Sequence, residues 1–371
     1  MKTVLIISLV QVAFLCLLIS SKKTKSKSDL YLLSWLIVTG LNQVYYLLSF
    51  FYDAAVPDFI LLSPSGTPLL TGPLFLFYVR AISSESPKWK WEFALHLLPF
   101  LTFLVFVLIT KGLLVEHGII RSNPDNLFVQ YYGYLYIISP ILYILLSLQA
   151  ARRYQLRIRE RFSNLDSINL NWLSVWISSS LVFFLLGVPT VYLATTFQKI
   201  EHNTAFNFLA VYNTLHIFII GYFGQKKTYI FSDTAYLKRE ARNSKYVKSG
   251  LSEELVEIYL KRLDVHIEDA KPYLNPDLSA SQLSKEIGIS PNHLSEILNL
   301  YKGKSFYHFI NQLRTDEVKR RMNDKKYAHL SNIGIAFDCG FNSRSTFSKA
   351  FKLNTGMSPT EFRKNMTSPS G

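Results

Sequence analysis

The chain has 371 residues, enough for two or three domains, and a formal net charge of +14. Its mean hydropathy is +0.16 although 18% of its residues are charged, so apolar and charged residues are segregated along the chain. The two cysteines, Cys16 and Cys339, lie in different halves, which excludes a disulfide framework and a cysteine-based metal site.

Seven apolar stretches in the first 224 residues are long enough, or nearly so, to cross a hydrocarbon core of about 30 Å. The first has the apolar character of a secretory signal, but no small-x-small cleavage site follows it. Four lysines come next instead, so we expect this helix to be retained. The predicted spans lie near 3–20, 30–51, 68–83, 93–110, 130–150, 172–197 and 205–223.

The loops between these stretches alternate in charge. The first loop carries the four lysines, the third carries three basic residues, and the fifth has five arginines between positions 152 and 161. The second loop, 52–67, has no Lys or Arg, and the fourth and sixth have few. Because basic loops are retained on the cytoplasmic side, the sequence predicts an external N terminus and a cytoplasmic C-terminal half.

Polar side chains inside the spans are candidates for a sensing pocket, because intramembrane polar groups are often functional. The alternative for each is hydrogen bonding between helices or membership of an interfacial aromatic belt. Two histidines without nearby carboxylates make a weak set of metal ligands, and no metal or other cofactor is predicted. The candidates are Asn42, Gln43, His96, Asn213 and His216, accompanied by Asn207 and by Tyr45, Tyr46, Tyr131, Tyr132, Tyr134, Tyr136 and Tyr212.

Residues 225–250 are polar and basic, and we interpret them as a cytoplasmic linker. The next segment, 251–277, is predicted to contain a connecting helix over 252–270. Two interpretations of its apolar seam are open: packing on the domain that follows, which is favoured, or a short dimerising coiled coil that transmits the pairing of two chains to the DNA-binding residues. The seam residues recur at spacings of 4, 3, 4 and 3: Val256, Leu260, Leu263, Ile267 and Ala270.

Residues 278–364 form a strongly basic block, with 14 Lys and Arg against seven Asp and Glu. Two helix-turn-helix patterns occur in it, 52 positions apart, with Gly288 and Gly340 at equivalent turn positions. Each second helix, called the recognition helix below, has an inward apolar pair at i and i+4. A helical segment at 305–322 joins the two patterns and would hold them at a fixed separation. Ordinary solvated surface explains isolated lysines but not two such patterns in one basic block.

The outward side chains of the recognition helices suit contacts with base edges. Asn pairs with adenine, Glu accepts from cytosine, and Arg or Lys bonds guanine. Serines at positions 290 and 343 are natural N-caps for the two helices. The outward residues are Asn292, His293, Ser295 and Glu296 on the first helix and Arg344, Ser345, Thr346, Ser348 and Lys349 on the second.

Over 278–365 the chain resembles the AraC/XylS family of transcription regulators, through SPNHLSEILN, FYHFINQLR, IAFDCGFNSRSTFSKAFK and TGMSPTEFRK. The resemblance implies tandem helix-turn-helix units whose third and sixth helices enter consecutive major-groove segments. Glu296 stands where a basic or amide side chain is common. A looser resemblance, through GPLFLFYVRA and the residues from His96 to Phe100, is to the membrane-bound branch with seven spans. The DNA contacts implied are Asn292, Ser295, Glu296, Arg344, Ser345, Ser348 and Lys349.

The predicted fold class is all-α, a seven-helix transmembrane bundle followed by a cytoplasmic tandem helix-turn-helix domain. The predicted function is a membrane-bound one-component transcription regulator, not an enzyme, in the inner membrane of a bacterial cell. Its predicted partners are double-stranded DNA, the lipid bilayer, an unidentified signal ligand and a second copy of the chain. The predicted domains are a sensor (1–224), the linker (225–250), a connecting helix (251–277), the DNA-binding domain (278–365) and a tail (366–371).

Two alternatives stay open at this stage. One is a transporter or membrane enzyme with an appended DNA-binding tail, and against it the sequence has no phosphate-binding loop, metal-ligand cluster or catalytic constellation. The other is a set of spans that serves only as an anchor. A single helix would suffice as an anchor, so seven spans favour a sensor.

Overall fold

The computed structural model describes residues 2–23, 25–51, 66–83, 90–109, 115–116, 119–120, 127–166, 168, 170–196, 210–219 and 251–367. Packing divides the chain into two compact units. The N-terminal unit comprises Met1–Arg153 and Leu170–Leu237, and the C-terminal unit comprises Tyr154–Asn169 and Lys238–Gly371. The predicted linker 225–250 and the position of Asn207 lie outside the described residues, so the domain boundary at residue 224 stays a prediction.

Each stretch predicted to cross a membrane contains a helix. The fifth of these helices is longer than expected and continues to Arg159, past the predicted end of its span near residue 150. The helices are α1 (Lys2–Ser20), α2 (Lys27–Phe51), α3 (Thr67–Ile82), α4 (Lys90–Ile109), α5 (Leu127–Arg159), α6 (Asn171–Thr196) and α7 (Ala210–Ile219).

Two short strands depart from the all-α prediction. Strand β1 (Val115–Glu116) pairs antiparallel with β2 (Ile119–Ile120) between α4 and α5. Each strand has two residues, too few to show the alternating pattern by which a strand is predicted from sequence. The remaining regular structure of the described residues is helical.

Within the part of the chain that the structure describes, α1 alone is both long and apolar enough to cross a membrane by length and composition. Shorter apolar stretches lie at Leu69–Ile82, Ala94–Phe106, Asn171–Gly187 and Ala210–Ile219. The helical segments are therefore established, but a crossing by all seven is not, and the seven-span bundle stays a prediction.

The interior of the N-terminal unit is rich in aromatic side chains. Trp176 of α6 is almost fully buried, and its ring lies edge-on to those of Phe75 and Trp35, with centroid distances of 4.4 and 5.7 Å. Edge-to-face packing is the arrangement that ring quadrupoles favour. Helices α2, α3 and α6 are thus joined through one buried indole.

The described residues of the C-terminal unit form seven further helices, several of which begin at a serine whose hydroxyl accepts from a backbone N–H three residues later. Such N-caps satisfy one of the donors that a helix start leaves unpaired. These capping serines are Ser252, Ser279, Ser290, Ser331 and Ser343. The helices are α8 (Glu253–Ala270), α9 (Ala280–Glu286), α10 (Pro291–Tyr301), α11 (Phe306–Met322), α12 (Asn332–Asp338), α13 (Arg344–Thr355) and α14 (Pro359–Thr367).

The apolar seam of α8 is used inside the C-terminal unit. Val256, Leu263 and Ile267 are buried in one core together with residues of α9, α10 and α11. The favoured interpretation, packing on the first helix-turn-helix, is therefore confirmed. Three of the five side chains that the dimerising coiled coil needs are thereby covered by their own chain, so that alternative is not supported.

Candidate nucleic-acid interface

The first helix-turn-helix consists of α9 and α10, joined at Gly288. The backbone φ at this glycine is +74°, a left-handed conformation that turns the chain without a side-chain clash. Ser290 then caps α10, with its hydroxyl 3.1 Å from the backbone N of His293. Pro291 occupies the first helical position, where its missing N–H costs nothing.

Helix α10 buries its apolar side and presents its polar side. The predicted i, i+4 pair, Leu294 and Leu298, is buried, and so is Ile297. On the opposite side Asn292 is exposed, and Ser295 and Glu296 are half-buried. The three predicted base contacts of the first unit thus lie on the side of α10 that faces away from the core.

The second helix-turn-helix consists of α12 and α13, with Gly340 at the turn (φ +89°). Ser343 caps α13, with its hydroxyl 3.2 Å from the backbone N of Thr346. The inward side of α13 is aromatic: Phe347 and Phe351 are buried, and their ring centroids lie 5.6 Å apart. This pair fixes the rotation of the helix about its axis.

The outward side of α13 is basic and polar. Arg344, Ser345 and Lys349 are exposed, and Ser348 is half-buried. Arg344 is the first residue of the helix, and the first turn of a recognition helix is the part that contacts base edges. In this arrangement Arg344 could extend into a major groove, and Lys349, about one turn later, could contact a phosphate.

Helix α11 connects the two units and contributes to both cores. Phe306 and Ile310 are buried with the first unit, and Val318 is buried with the second. Because one continuous helix spans both cores, the separation of the two recognition helices is fixed rather than set by a flexible linker. Adjacent major-groove segments repeat about every 34 Å, and a fixed separation is what recognition of two of them requires.

Arg314 of α11 is a buried arginine that the sequence prediction missed. Its side chain donates to the carbonyls of Tyr273 and Asn275, each at 2.8 Å, and to the Ser163 hydroxyl at 3.1 Å. Burial lowers the pKa of Arg314 to about 10, so the guanidinium stays charged at neutral pH. It is 1% exposed and holds the chain between α8 and α9 against α11.

Glu317, one turn later on α11, is buried between two arginines. Its carboxylate accepts from Arg320 at 2.7 Å and from Arg321 at 2.9 Å. Hydrogen bonding to Arg320, in the first place, lowers the pKa of Glu317 to about 2. The Arg321 guanidinium also lies over the ring of Tyr327, 5.2 Å from its centroid. This cluster joins α11 to the segment that precedes the second helix-turn-helix.

Two residues of the recognition helices bond acidic side chains from the segment between α5 and α6. The Ser295 hydroxyl donates to Glu160 at 3.0 Å, and the Thr346 hydroxyl donates to Asp166 at 2.8 Å. Asn299, on the same face of α10 as Ser295, donates to Glu160 at 2.9 Å. The sequence offers no signal for these contacts, because the partners are more than 130 positions apart.

The predicted sensing residues lie in the N-terminal unit and do not form one cluster of ligands. The Asn42 amide donates to the Thr67 hydroxyl at 2.9 Å, His96 Nδ1 pairs with the Tyr143 hydroxyl at 2.9 Å, and His216 Nε2 pairs with the Ser180 hydroxyl at 3.0 Å. Asn213 is half-buried. Among the described residues there is no group of three or more His, Cys, Asp or Glu side chains placed to hold a metal.

Gln43 differs from the other sensing candidates. Its side chain is buried, and neither its amide nitrogen nor its amide oxygen has a hydrogen-bond partner among the described residues. Most buried polar groups in proteins are paired, and the described part of the N-terminal unit contains further exceptions, such as the side chains of Gln11 and Tyr78. The side chains of Tyr46, Tyr132 and Tyr136 lie outside the described residues.

Comparison with known proteins bears on the C-terminal unit. Residues 283–365 match the family described as a helix-turn-helix domain. An uncharacterized HTH-type transcriptional regulator of Staphylococcus aureus (strain COL) is 34% identical over 91 residues, 24% of this chain and 12% of that protein. The probable transcription factor PqrA of Proteus vulgaris is 27% identical over 119 residues, 32% of this chain and 91% of PqrA.

Among solved structures, the C-terminal domain of AraT, a response regulator from Geobacillus stearothermophilus, is 24% identical with a TM-score of 0.26, and the match covers 33% of this chain and 94% of that one. The matched region spans only 12% of the length of the Staphylococcus aureus relatives. The geometry and the family match agree on one part of the molecule: its C-terminal unit carries a helix-turn-helix DNA-binding domain.

Proposed function

We propose that the chain is a membrane-bound, one-component transcription regulator that senses a signal through its N-terminal helices and binds two consecutive major-groove segments. One observation carries the DNA-binding part: two capped recognition helices, held by one rigid connector, project polar and basic side chains from a block of 14 Lys and Arg against seven Asp and Glu. Positive charge supplies affinity for phosphates, and the outward side chains supply base recognition.

Exposed apolar side chains support the membrane part of the proposal. On α1 they recur along one side of the helix, and Leu17 is 69% exposed. On α4 and α5 they also follow one side of each helix, with Ile109 at 75% and Leu127 at 80%. Soluble monomers rarely expose contiguous apolar patches of this extent. A lipid bilayer is the environment that would cover them.

The loop charges support an external N terminus and a cytoplasmic C-terminal unit. The segment 154–169, which links α5 to α6, carries arginines at positions 157, 159 and 161 and belongs to the same compact unit as the DNA-binding domain. Basic loops are held on the cytoplasmic side, which is the side on which DNA is found. Loop charge and DNA-binding function thus favour the same orientation.

The signal site is proposed among the polar residues of the N-terminal unit, with Gln43 as its first candidate. A ligand with one donor and one acceptor would pair both unpaired atoms of its amide. A second copy of the chain stays a proposed partner, but through a surface other than the buried seam of α8.

DNA binding is tested with the full chain in lipid nanodiscs. We expect selection from a library of randomised 40-base-pair duplexes to enrich one sequence family. Arg344→Ala should relax the preference at one position and weaken binding by about 1–3 kcal/mol if Arg344 makes a bidentate guanine contact. Failure to enrich any sequence would contradict the proposal.

The membrane orientation is tested separately with reporter fusions. A fusion after Gly224 should be active only in a reporter that works in the cytoplasm, and an insertion within 55–66 only in a reporter that works outside. A reporter after Gly224 that is active outside would contradict the orientation, while leaving the DNA-binding result untouched.

A further inference from the structure

The segment that links α5 to α6 is docked on the helix-turn-helix domain through its backbone. The Arg161 carbonyl accepts from the Ala280 N–H at 2.8 Å, and the Ser163 N–H donates to the Leu278 carbonyl at 3.4 Å. Phe162 and Ser279 form an isolated antiparallel bridge between these two bonds. Three consecutive residues of the segment thus lie alongside the start of the first helix-turn-helix.

Ser163 anchors this segment. Its hydroxyl donates to the Leu278 carbonyl at 2.6 Å and accepts from Arg314 at 3.1 Å, and its carbonyl accepts from the Asn311 amide at 3.3 Å. Ser163 is fully buried, as is Thr315 beside Asn311 on α11. The segment thus provides hydrogen-bond partners for four polar groups of the domain: the Leu278 carbonyl, the Arg314 guanidinium, the Asn311 amide and the Ala280 N–H. So many paired groups mark a specific docking site rather than a loose surface association.

One carboxylate on each side of this anchor bonds a recognition helix. Glu160 accepts from Ser295 and Asn299 of α10, and Asp166 accepts from Thr346 of α13. The donors are hydroxyls and an amide, the same groups that bond phosphate and base edges in protein–DNA complexes. A carboxylate presents them with a negatively charged oxygen acceptor, as a phosphate does.

We propose that residues 160–166 compete with DNA for the recognition helices, so that this face of the domain binds either its own acidic segment or a duplex. This inference rests on the proposed function and concerns the regulation of the same site. Because α5 ends at Arg159 and α6 begins at Asn171, a movement of either helix reaches the segment through the backbone. A signal received by the N-terminal helices would then release or seat the segment.

The docked segment does not cover every predicted DNA contact. Arg344, Ser345 and Lys349 of α13 stay exposed. The docked state therefore keeps a weak, salt-dependent attraction for phosphates, while the side chains bonded to Glu160 and Asp166 are withheld. In a two-state equilibrium the apparent affinity falls by the fraction of molecules that are released.

The test uses the full chain in lipid nanodiscs and a 30-base-pair duplex of mixed sequence. Glu160→Gln combined with Asp166→Asn removes both negative charges, and Ser163→Arg places a cation against Arg314 and unseats the segment. Each should raise the affinity for the duplex about tenfold, because charge-assisted hydrogen bonds are lost only from the docked state. The matched control, Glu253→Gln combined with Glu254→Gln, makes the same change in net charge on exposed residues at the start of α8 and should leave the affinity within twofold of the wild type.

Limited trypsin digestion gives a second measurement on the same samples. Cleavage after Arg161 should be slow in the wild type, faster when the duplex is added, and fast without DNA in the Ser163→Arg variant. The inference is overturned if all four proteins bind within twofold of one another, or if the duplex leaves cleavage of the wild type unchanged. If no protein binds the duplex, the proposed function itself fails, and the inference fails with it.

Discussion

The two helix-turn-helix units share one backbone plan but differ in how they are supported and in what they present. The first packs aliphatic side chains against α8, and its recognition helix carries Asn292 and Glu296. The second packs phenylalanines against each other and against Phe362 of α14, and its recognition helix carries Arg344 and Lys349. Cationic side chains are therefore concentrated on the second recognition helix, whereas the first presents neutral and acidic groups.

The turn glycines show the same contrast in packing. A Cβ added at Gly340 would lie 2.6 Å from the Tyr273 carbonyl oxygen and 2.9 Å from Arg314 Nε. A Cβ added at Gly288 would meet nothing closer than Arg262, at 3.8 Å. The second turn therefore packs tightly against the backbone of Tyr273 and Leu274, which Arg314 holds in place, whereas the first turn has free space around it. Duplicated units with one backbone can differ widely in their tolerance of substitution.

The largest expected effect is that of Gly340→Ala. Both the clash with backbone and the left-handed φ oppose a side chain, so we expect the second unit to lose about 3 kcal/mol or more of stability. Gly288→Ala is the matched control and should lose only the conformational term, about 1–2 kcal/mol. Hydrogen–deuterium exchange in the full chain measures both losses, over residues 332–355 for Gly340→Ala and over residues 280–301 for Gly288→Ala. Equal losses in the two variants would contradict the packing contrast.

A second prediction concerns Glu317, whose partners belong to the support of the second unit. Glu317→Gln should lower the stability of this unit by about 1.5–3 kcal/mol, because a buried charged acceptor of two arginines is lost. Asp316→Asn is the control: its exposed pair with Lys319 should contribute less than about 1 kcal/mol. Hydrogen–deuterium exchange of residues 332–355 at neutral pH compares the stability lost in the two variants. Equal small losses of stability would mean that the Glu317 cluster contributes little.

The pH dependence of the Glu317 contribution has a definite sign. Its pKa is about 2 in the folded protein, against an ordinary value of 4.5. A lowered carboxyl pKa gives stability that is fully present above pH 4.5 and is lost as the pH falls toward 2. Exchange in residues 332–355 should therefore accelerate over this window in the wild type more than in Glu317→Gln. Parallel acid profiles of the two proteins would contradict this assignment.

The smallest expected effects separate phosphate contacts from base contacts. Lys349→Ala should weaken binding to all duplexes alike and reduce the slope of log affinity against log salt by about one. Asn292→Ala in the first unit should leave that slope unchanged and alter the preference at one base pair. Fluorescence anisotropy at several salt concentrations measures both. A change of salt slope in Asn292→Ala would remove the distinction between the units.

The features predicted correctly from the sequence are local ones. Periodicity located α10 and α13, the serines marked their caps, and the glycines marked the turns, because each depends on residues within about one helical turn. Seven helical segments in the N-terminal half were located in the same way. How many of these helices cross a membrane depends on what surrounds them, and which bases the recognition helices contact depends on the DNA. Both therefore stay predictions.

What the sequence did not predict depends on contacts between distant positions. Arg314 lies in a basic block where an arginine is expected on the surface, and its burial follows from carbonyls about 40 positions away and from Ser163. The docking of 160–166 pairs residues separated by more than 110 positions. No spacing rule connects such positions, and the same limit explains why periodicity left two uses of the α8 seam open.

We propose that one chain recognises two consecutive major-groove segments, and that the second unit supplies the cationic contact. Methylation interference on the duplex enriched by selection tests this proposal. We expect two patches of interference about 10 base pairs apart on one face of the duplex, of which Arg344→Ala removes one and leaves the other. A single patch in the wild type, or loss of both patches in Arg344→Ala while the protein stays folded and bound, would contradict it.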